Sequence, residues 1–344
     1  MKFPHIQRCA TAGREAKTPR SARLAQTAAL ALAVATLLCA GCSTYRSNPG
    51  LPARPLSFLV VGDWGDPTVP DLRNQRAVAQ AMAKVADKFP VSFIVSTGDN
   101  FYAPKGKENP NAAPPIRDLF ESVYTNSSLK KLPWYLTLGN HDHDDYDYKQ
   151  EIAYTTNRNN RGQRWILPGN YYSVTNSQAS ALLVFLDTTP IVSPATNVFL
   201  HPEAQLTWLR NTLAVSTNQW KLVFGHHPIV YMDEPGGPVG CRPVAGDLQS
   251  AEKILLEQRV MAYFCGHIHS LEYLLDSRQG QQLHCFISAG GGSGISHVSC
   301  PKTDDNNWSF WDHGFVHVSI HPEKMVVTFW NSAGNNFATV VVKK

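Results

Sequence analysis

Five short motifs in this chain carry the kinds of side chain that bind metal ions in hydrolytic sites. Together they supply carboxylates, a phenol, side-chain amides and several imidazoles, a mixture typical of a site that holds two metal ions. Ordinary turn chemistry explains the glycines in the motifs, but not a metal-competent side chain in every one. The motifs read Gly62-Asp63-Trp64-Gly65, Gly98-Asp99-Asn100-Phe101-Tyr102, Gly139-Asn140-His141-Asp142, Gly225-His226-His227-Pro228 and Gly266-His267-Ile268-His269.

A short apolar run precedes each motif and is rich in Val, Ile, Leu and Phe. Such runs are typical of strands that are buried on both faces of a parallel sheet. Because ligands bind beyond the carboxyl ends of the strands in open α/β sheets, we expect the five motifs to meet in one crevice. The five predicted strands span residues 56–61, 91–97, 134–138, 221–224 and 260–265.

Helical spacing of apolar residues alternates with these runs and indicates an α/β fold. Residues 71–89 form one predicted helix, Pro202 opens a second, and residues 249–257 suit a third. We find no internal repeat and predict one catalytic domain over residues 56–344. Further predicted strands span residues 182–186, 315–320, 325–330 and 339–342.

The motifs resemble those of the metallophosphoesterases, and within them the purple acid phosphatases of the small, tartrate-resistant type. Asp63-Trp64-Gly65, Gly98-Asp99-Asn100-Phe101-Tyr102, Pro133-Trp134-Tyr135 and Gly139-Asn140-His141-Asp142-His143 carry the likeness. Tyr102, three residues after Asp99, distinguishes the purple branch from metallophosphoesterases in general. The resemblance extends over nearly the whole chain from residue 56. It implies two stacked mixed β-sheets flanked by helices, an α/β/β/α sandwich.

The resemblance also implies a role for each ligand residue. Asp99 would bridge two metal ions. Asp63, Tyr102 and His269 would complete the first site, and Asn140, His226 and His267 the second. Carboxylates with a phenolate form a hard oxygen set that suits Fe(III), and an amide with imidazoles suits a divalent ion such as Zn, Fe or Mn.

Three further histidines are candidates for contact with the substrate. The resemblance makes His141 a phosphate contact and the proton donor to the leaving group. His143 is a candidate at the pocket rim, and His227 is either a substrate contact or a buried core histidine. The chain departs from the family pattern at Pro235, which occupies the position of a substrate-binding histidine.

The loops around these motifs carry weaker signals. We expect Asp142 to orient neighbouring groups rather than to bind metal. The acidic segment from Asp142 to Asp147 predicts a solvated loop, in preference to an extra cation site. Residues 290–294 are rich in glycine but lack the lysine of a phosphate-binding P-loop, so we expect a mobile loop there.

The sequence thus predicts a binuclear metal-dependent phosphatase. It would hydrolyse phosphomonoesters at mildly acidic pH through a metal-bound hydroxide. A phosphodiesterase on the same scaffold is the alternative enzyme. A non-catalytic, metal-binding surface lipoprotein is the alternative from another class.

The amino-terminal region predicts export. Residues 1–41 hold six basic residues and one acidic residue, followed by an apolar run that ends at Ala40-Gly41-Cys42. This pattern resembles a lipoprotein signal, with Cys42 as the lipidated first residue of a bacterial membrane lipoprotein. Simple cleavage, giving a periplasmic or secreted protein, and a retained anchor remain open. Residues 42–55 read as a short tether.

Net charge and cysteine content bear on nucleic-acid binding and on disulfide formation. The formal net charge of +4 comes from the predicted signal, so the remainder is nearly neutral and has no basic stripe for nucleic acid. An exported protein can form disulfides, and Cys241 with Cys300 is the more credible pair. Cys265 and Cys285 lie on predicted strands and suit packing in the core. The sequence leaves the oligomeric state open.

Overall fold

Two stacked β-sheets with helices on their outer faces form the body of the chain. The computed structural model describes residues 6–7, 55–193, 202–233, 241, 243–277, 280–295 and 306–344. In chain order the strands are β1 Ile6–Gln7, β2 Leu56–Val61, β3 Phe93–Ser96, β4 Trp134–Leu136, β5 Trp165–Ile166, β6 Tyr172–Asn176, β7 Ala181–Phe185, β8 Trp220–Phe224, β9 Val230–Met232, β10 Pro243–Ala245, β11 Ala262–Cys265, β12 Leu271–Asp276, β13 Leu283–Ser288, β14 Asn307–Phe310, β15 Gly314–Ile320, β16 Lys324–Asn331 and β17 Asn336–Lys343.

The described part of the chain has fewer α-helices than strands. Single turns of 3-10 or π-helix occur at Pro70–Leu72, Arg117–Glu121 and Arg161–Gln163. Within the part of the chain that the structure describes, no helix is both long and apolar enough to cross a membrane. The α-helices are α1 Arg73–Lys88, α2 Asn140–Asp144, α3 Tyr148–Tyr154, α4 Thr189–Val192, α5 Pro202–Val215 and α6 Gln249–Glu257.

Each sheet contributes adjacent parallel strands to the region of the motifs. One sheet has the order β17-β16-β15-β2-β3-β4-β5, and β2, β3 and β4 are parallel neighbours. The other has the order β1-β6-β7-β8-β11-β13-β12-β14, and β8 and β11 are parallel neighbours. Strands β9 and β10 form a separate antiparallel pair. Strand β1 pairs with β6, and its residues lie within the predicted signal.

An aromatic core fills the space between the two sheets. Phe58 of β2 meets Phe224 of β8 across this space, with ring centroids 6.1 Å apart. Alternation along the strands places Phe224 and Phe264 in this inner core, while Val223 and Cys265 face an outer core with α5 and α6. Helix α1 covers the opposite sheet at β15 and β16. The layers confirm the predicted α/β/β/α sandwich.

Most element boundaries agree with the sequence prediction. Residues 56–61 and 249–257 form a strand and a helix with those limits. The runs at residues 91–97, 134–138 and 260–265 give shorter strands. Strands β3 and β4 end one and two residues before the end of their runs, and β3 and β11 begin two residues after the start of theirs.

Candidate metal centre

The seven predicted ligand residues lie at the carboxyl ends of five strands. Asp63 follows β2, and Asp99 and Tyr102 follow β3. The remaining residues follow β4, β8 and β11. Because these strands are neighbours within their sheets, the loops converge at one edge of the sandwich. The ligands that follow β4, β8 and β11 are Asn140, His226, His267 and His269.

The first group of donor atoms surrounds the Tyr102 hydroxyl. This oxygen lies 3.1 Å from Asp63 Oδ1, 3.1 Å from Asp99 Oδ2 and 3.2 Å from His269 Nε2. His269 Nδ1 donates to the Gly294 carbonyl at 2.8 Å, which leaves the lone pair on Nε2 facing the phenol. One hydroxyl hydrogen thus faces three acceptors. A cation bound among these oxygen and nitrogen atoms would accept their lone pairs.

The second group joins one amide oxygen to two imidazole nitrogens. Asn140 Oδ1 lies 3.0 Å from His267 Nδ1 and 3.1 Å from His226 Nε2, and the two nitrogens are 3.1 Å apart. These separations are those of neighbouring ligands around one ion with metal–ligand distances of about 2.0–2.2 Å. The His226 ring is oriented by Nδ1, which lies 3.0 Å from the Thr97 carbonyl.

Asp99 connects the two groups. Its Oδ2 contacts the Tyr102 hydroxyl of the first group and lies 3.3 Å from His226 Nε2 of the second. Burial lowers the pKa of His226, but the carboxylates of Asp99 and Asp63 outweigh it and raise the pKa to about 9. The carboxylates therefore favour positive charge at His226 Nε2, which a metal ion supplies equally well. The donor sets fit two ions that share Asp99.

The backbone of four candidate ligands is in the left-handed region. The φ angles are 60° at Asp63, 49° at Asp99, 76° at His267 and 51° at His269. Non-glycine residues adopt such angles uncommonly and at a cost of about 1–3 kcal/mol each. Strain of this kind collects at functional sites, where the surrounding structure maintains it.

Two glycines allow the carboxylates to approach the backbone closely. A Cβ atom at Gly139 would lie 2.1 Å from Asp99 Oδ1, and one at Gly266 would lie 2.5 Å from Asp63 Oδ2. The glycine-rich loop at residues 290–294 is tied to the site rather than mobile as predicted. Gly291 N donates to the Gly62 carbonyl at 3.0 Å, and Ser293 N donates to the Asp63 carbonyl at 3.0 Å.

Asp142 orients the backbone next to the candidate ligands, in keeping with its predicted role. Its carboxylate accepts hydrogen bonds from the backbone N–H groups of Gly139, Asn100 and Phe101 at 2.8, 2.9 and 3.1 Å. The amide of Asn100 also contacts Asp142 and Glu151, both fully buried. Burial raises the pKa of Asp142 to about 7, and the Asp99 carboxylate adds to the effect.

His141 lies beside the first group with part of its ring exposed. Its ring packs on Tyr102 at a centroid distance of 4.4 Å, and its Nδ1 contacts Asp145 Oδ2 at 2.9 Å. Asp145 also accepts from Ala103 N at 2.7 Å. Burial lowers the pKa of His141, but the bond to Asp145 and the charge of Asp99 raise it to about 9.

The prediction of a solvated loop after Asp142 is wrong for Asp145. Asp145 is only 3% exposed because it orients His141 and the backbone at Ala103. The sequence held one signal for this role, since Asp145 follows His141 by four residues, the spacing of neighbours on a helix face.

His143 does not lie at the pocket rim, its predicted position. Its side chain is 1% exposed, and its Nε2 lies 3.0 Å from both carboxylate oxygens of Asp187. Asp187 also accepts from Asn170 Nδ2 at 2.7 Å. This buried pair links α2, which begins at Asn140, to the loop that follows β7.

His227 is buried and yet beside the second group. Its ring centroid is 4.6 Å from that of His267 and 5.0 Å from that of His226. Burial, together with the neighbouring imidazoles, lowers its pKa to about 2. The position of Pro235, which bears on the missing substrate histidine, lies outside the described residues.

The described cysteines agree with the packing prediction. Cys265 and Cys285 are free and buried. Cys241 is in a disulfide whose partner lies outside the described residues, so the pairing with Cys300 stays a prediction.

Comparison with known proteins identifies the family. Residues 56–271 match the model of the calcineurin-like phosphoesterases. Purple acid phosphatase 4 of Arabidopsis thaliana is 31% identical over 330 residues, which cover 89% of each chain. Tartrate-resistant acid phosphatase type 5 of Oryctolagus cuniculus is 30% identical over 84% of this chain and 91% of its own.

A solved structure supports the fold alone. GAP50, described as the anchor in the inner membrane complex of Plasmodium, matches with a TM-score of 0.66 and 21% identity, over 84% of this chain and 89% of its own. The relatives found by sequence identity assign the family as well as the fold. With its two donor groups at the carboxyl ends of the strands, this chain belongs to the calcineurin-like phosphoesterases and, within them, to the purple acid phosphatases, which are metal-dependent hydrolases of phosphate esters.

Proposed function

We propose that this protein hydrolyses phosphomonoesters at a binuclear centre bridged by Asp99. The observation that carries the proposal is the contact of Asp99 Oδ2 with both donor groups, at 3.1 Å from the Tyr102 hydroxyl and 3.3 Å from His226 Nε2. In this assignment Asp63, Tyr102 and His269 hold the first ion, and Asn140, His226 and His267 hold the second. Two ions so placed supply charge stabilisation and a water of lowered pKa.

The first ion is Fe(III) in this proposal, and the second is Zn, Fe or Mn in the divalent state. Burial and the carboxylates of Asp63 and Asp99 raise the pKa of the Tyr102 phenol well above its ordinary value. Only an ion of high charge will displace that proton and form a phenolate ligand. The amide and imidazoles of the second group carry no charge, which suits a divalent ion.

His141 gives a proton to the leaving group in this assignment. Asp145 and the ring of Tyr102 fix the imidazole, so Nδ1 is occupied and Nε2 is available to the substrate. Protonation of His141 is maintained at mildly acidic pH by the neighbouring Asp145 and Asp99 carboxylates. An alkoxide leaving group needs such a donor, since it is unstable as an anion.

Export and a lipid anchor at Cys42 are part of the proposal. The basic stretch, the apolar run and the small residues before Cys42 support them. The anchor would tether residues 56–344 to a membrane through the short segment at residues 42–55. Residues 8–54 lie outside the described part of the chain.

Metal analysis together with an ester screen tests the proposed function. We expect two metal ions per chain, one of them iron, and faster hydrolysis of monoesters than of diesters. Asp99→Asn should lose metal and activity together, by at least about 100-fold in rate, because the bridging charge is gone. Asp118→Asn, an exposed carboxylate that belongs to neither donor group, is the control. Faster diester hydrolysis would replace the monoesterase assignment, and full activity in a metal-stripped protein would overturn the mechanism.

A further inference from the structure

The Thr188 hydroxyl fixes which nitrogen of His227 carries a hydrogen. Thr188 is fully buried at the end of β7, and its Oγ1 lies 3.2 Å from His226 N, 3.0 Å from His227 N and 2.8 Å from His227 Nδ1. The two backbone N–H groups occupy both lone pairs of the hydroxyl oxygen. Its own hydrogen is therefore donated to His227 Nδ1, and Nδ1 is an acceptor.

The proton of the neutral His227 ring must then be on Nε2. This N–H makes no hydrogen bond to any residue in the described part of the chain, and although the residue is only 5% exposed, the Nε2 atom itself is not fully enclosed. The N–H group is therefore free to donate to an acceptor that enters the site.

The surroundings hold His227 rigidly in place. The Tyr263 hydroxyl donates to the His227 carbonyl at 2.7 Å. A Cβ atom at Gly225 would lie 2.4 Å from that hydroxyl and 2.7 Å from Thr188 Cγ2, so only glycine allows this arrangement. The backbone of His227 is thus fixed by Tyr263, and its imidazole is oriented by the Thr188 hydroxyl.

The tautomer decides between two readings of the histidine cluster. His226, His227 and His267 each offer a nitrogen within 4.8 Å of the others, which resembles a site of three imidazole ligands. A ligand nitrogen needs a lone pair, and Nε2 of His227 carries a hydrogen instead. An N–H group repels a cation and attracts an anionic oxygen.

We propose that His227, held as the Nε2–H tautomer by Thr188, donates a hydrogen bond to a phosphate oxygen of the substrate. The proposal rests on the proposed function, since it places a phosphate ester beside the second group of donors. His227 then binds and orients the phosphate group and is not a metal ligand.

Two substitutions at His227 separate these roles. His227→Phe keeps a ring against His226 and His267 but removes the donor, whereas His227→Gln restores an N–H group of similar reach. With inorganic phosphate as the probe, we expect its dissociation constant to rise about 10- to 100-fold in His227→Phe and to recover largely in His227→Gln. Both variants should retain two metal ions per chain. His284→Phe, a partly buried histidine of β13, is the control.

Nitrogen NMR of the zinc-loaded protein reads the tautomer directly, with the His227 signals assigned by their loss in His227→Phe. We expect the hydrogen on Nε2, and a shift towards the other tautomer in Thr188→Val. Loss of one metal ion in His227→Phe, a hydrogen on Nδ1, or unchanged phosphate affinity would each overturn the proposal. A wild-type protein that binds metal but no phosphate overturns this inference alone, whereas one that binds no metal overturns the proposed function and the inference with it.

Discussion

Asp63 and Asp99 are both fully buried, but different groups face them. Burial raises the pKa of Asp63 to about 6 despite the attraction of His226 and His269. Burial also acts on Asp99, but His226, His141 and His267 outweigh it and keep the pKa of Asp99 below its usual range. Asp99 therefore supplies a permanent negative charge for the bridge, while Asp63 must give up a proton when an ion binds.

Tyr102→Phe should remove the visible colour of the iron-loaded protein. The colour would arise from charge transfer between the phenolate and Fe(III), and phenylalanine has no oxygen to donate. Activity should survive in part, because Asp63, Asp99 and His269 still hold the ion. Absorption spectra with iron analysis provide the measurement. Tyr146→Phe, whose hydroxyl contacts the Tyr102 carbonyl at 3.4 Å and not its phenol, should keep the band. A wild type that is colourless, free of iron and fully active would contradict the assignment.

His141→Ala should slow esters with poor leaving groups far more than activated ones. General acid catalysis is worth about 10²–10⁴-fold where the leaving group needs a proton. We expect the kcat for an alkyl phosphate to fall by about 100-fold or more, and that for an activated aryl phosphate by less than about 10-fold. Asp145→Asn should show a weaker form of the same asymmetry, since it keeps the contact but loses the charge. Equal losses on both esters would mark His141 as a uniform phosphate-binding residue.

The elements show where sequence reasoning succeeds and where it fails. Strand β11 was predictable because burial on both faces leaves no charged residue between Ala262 and Cys265. Helix α2 was not, because Asn140 to Asp144 have low helix propensity and no apolar period. The helix begins where the Asp142 carboxylate accepts a hydrogen bond from the Gly139 N–H group. Such a contact is visible only in the folded structure. The same applies to Asp145 and Asp187, whose partners are set by tertiary contacts.

Gly139→Ala should disrupt the centre through the loop between β4 and α2. The added Cβ would lie 2.1 Å from Asp99 Oδ1 and 2.4 Å from Asp99 N, so the bridging carboxylate has to move. We expect metal content to drop and activity to fall by about 10–100-fold. Gly169→Ala is the matched control, because its nearest atom is 4.0 Å away and its φ is not positive. Metal analysis of both variants gives the answer, and a fully loaded Gly139→Ala protein would refute the argument.

At the scale of the whole molecule, the proposed anchor depends on a single cysteine. Cys42→Ser should abolish labelling with fatty acid and either release the protein from membranes or leave an unprocessed precursor. Cys9→Ser, in the basic stretch before the apolar run, should change neither property. Fractionation of cells that express each variant checks this, and unchanged processing and membrane association in Cys42→Ser would exclude the lipoprotein signal.

Metal removal should destabilise the fold, and by more at neutral than at acidic pH. An ion present at about a thousand times its Kd contributes about 4 kcal/mol. For a chain of this size that corresponds to a Tm change on the order of 10 °C. The metal-free protein also holds protons on Asp63 and His226, whose folded pKa values are raised to about 6 and about 9.

Raised folded pKa values make the metal-free fold lose stability as the pH rises. The contribution of Asp63 is lost between about pH 4, where the unfolded carboxyl titrates, and pH 6. That of His226 is lost between about pH 6.5 and pH 9. In the loaded protein the ions hold both groups deprotonated, so the loaded fold does not lose stability in this way as the pH rises. The Tm difference between loaded and chelated protein should therefore grow from pH 5 to pH 8. Asp99→Asn, which should already lack the ions, provides the control. If complete chelation leaves the Tm of the loaded protein unchanged, the ions do not stabilise the fold.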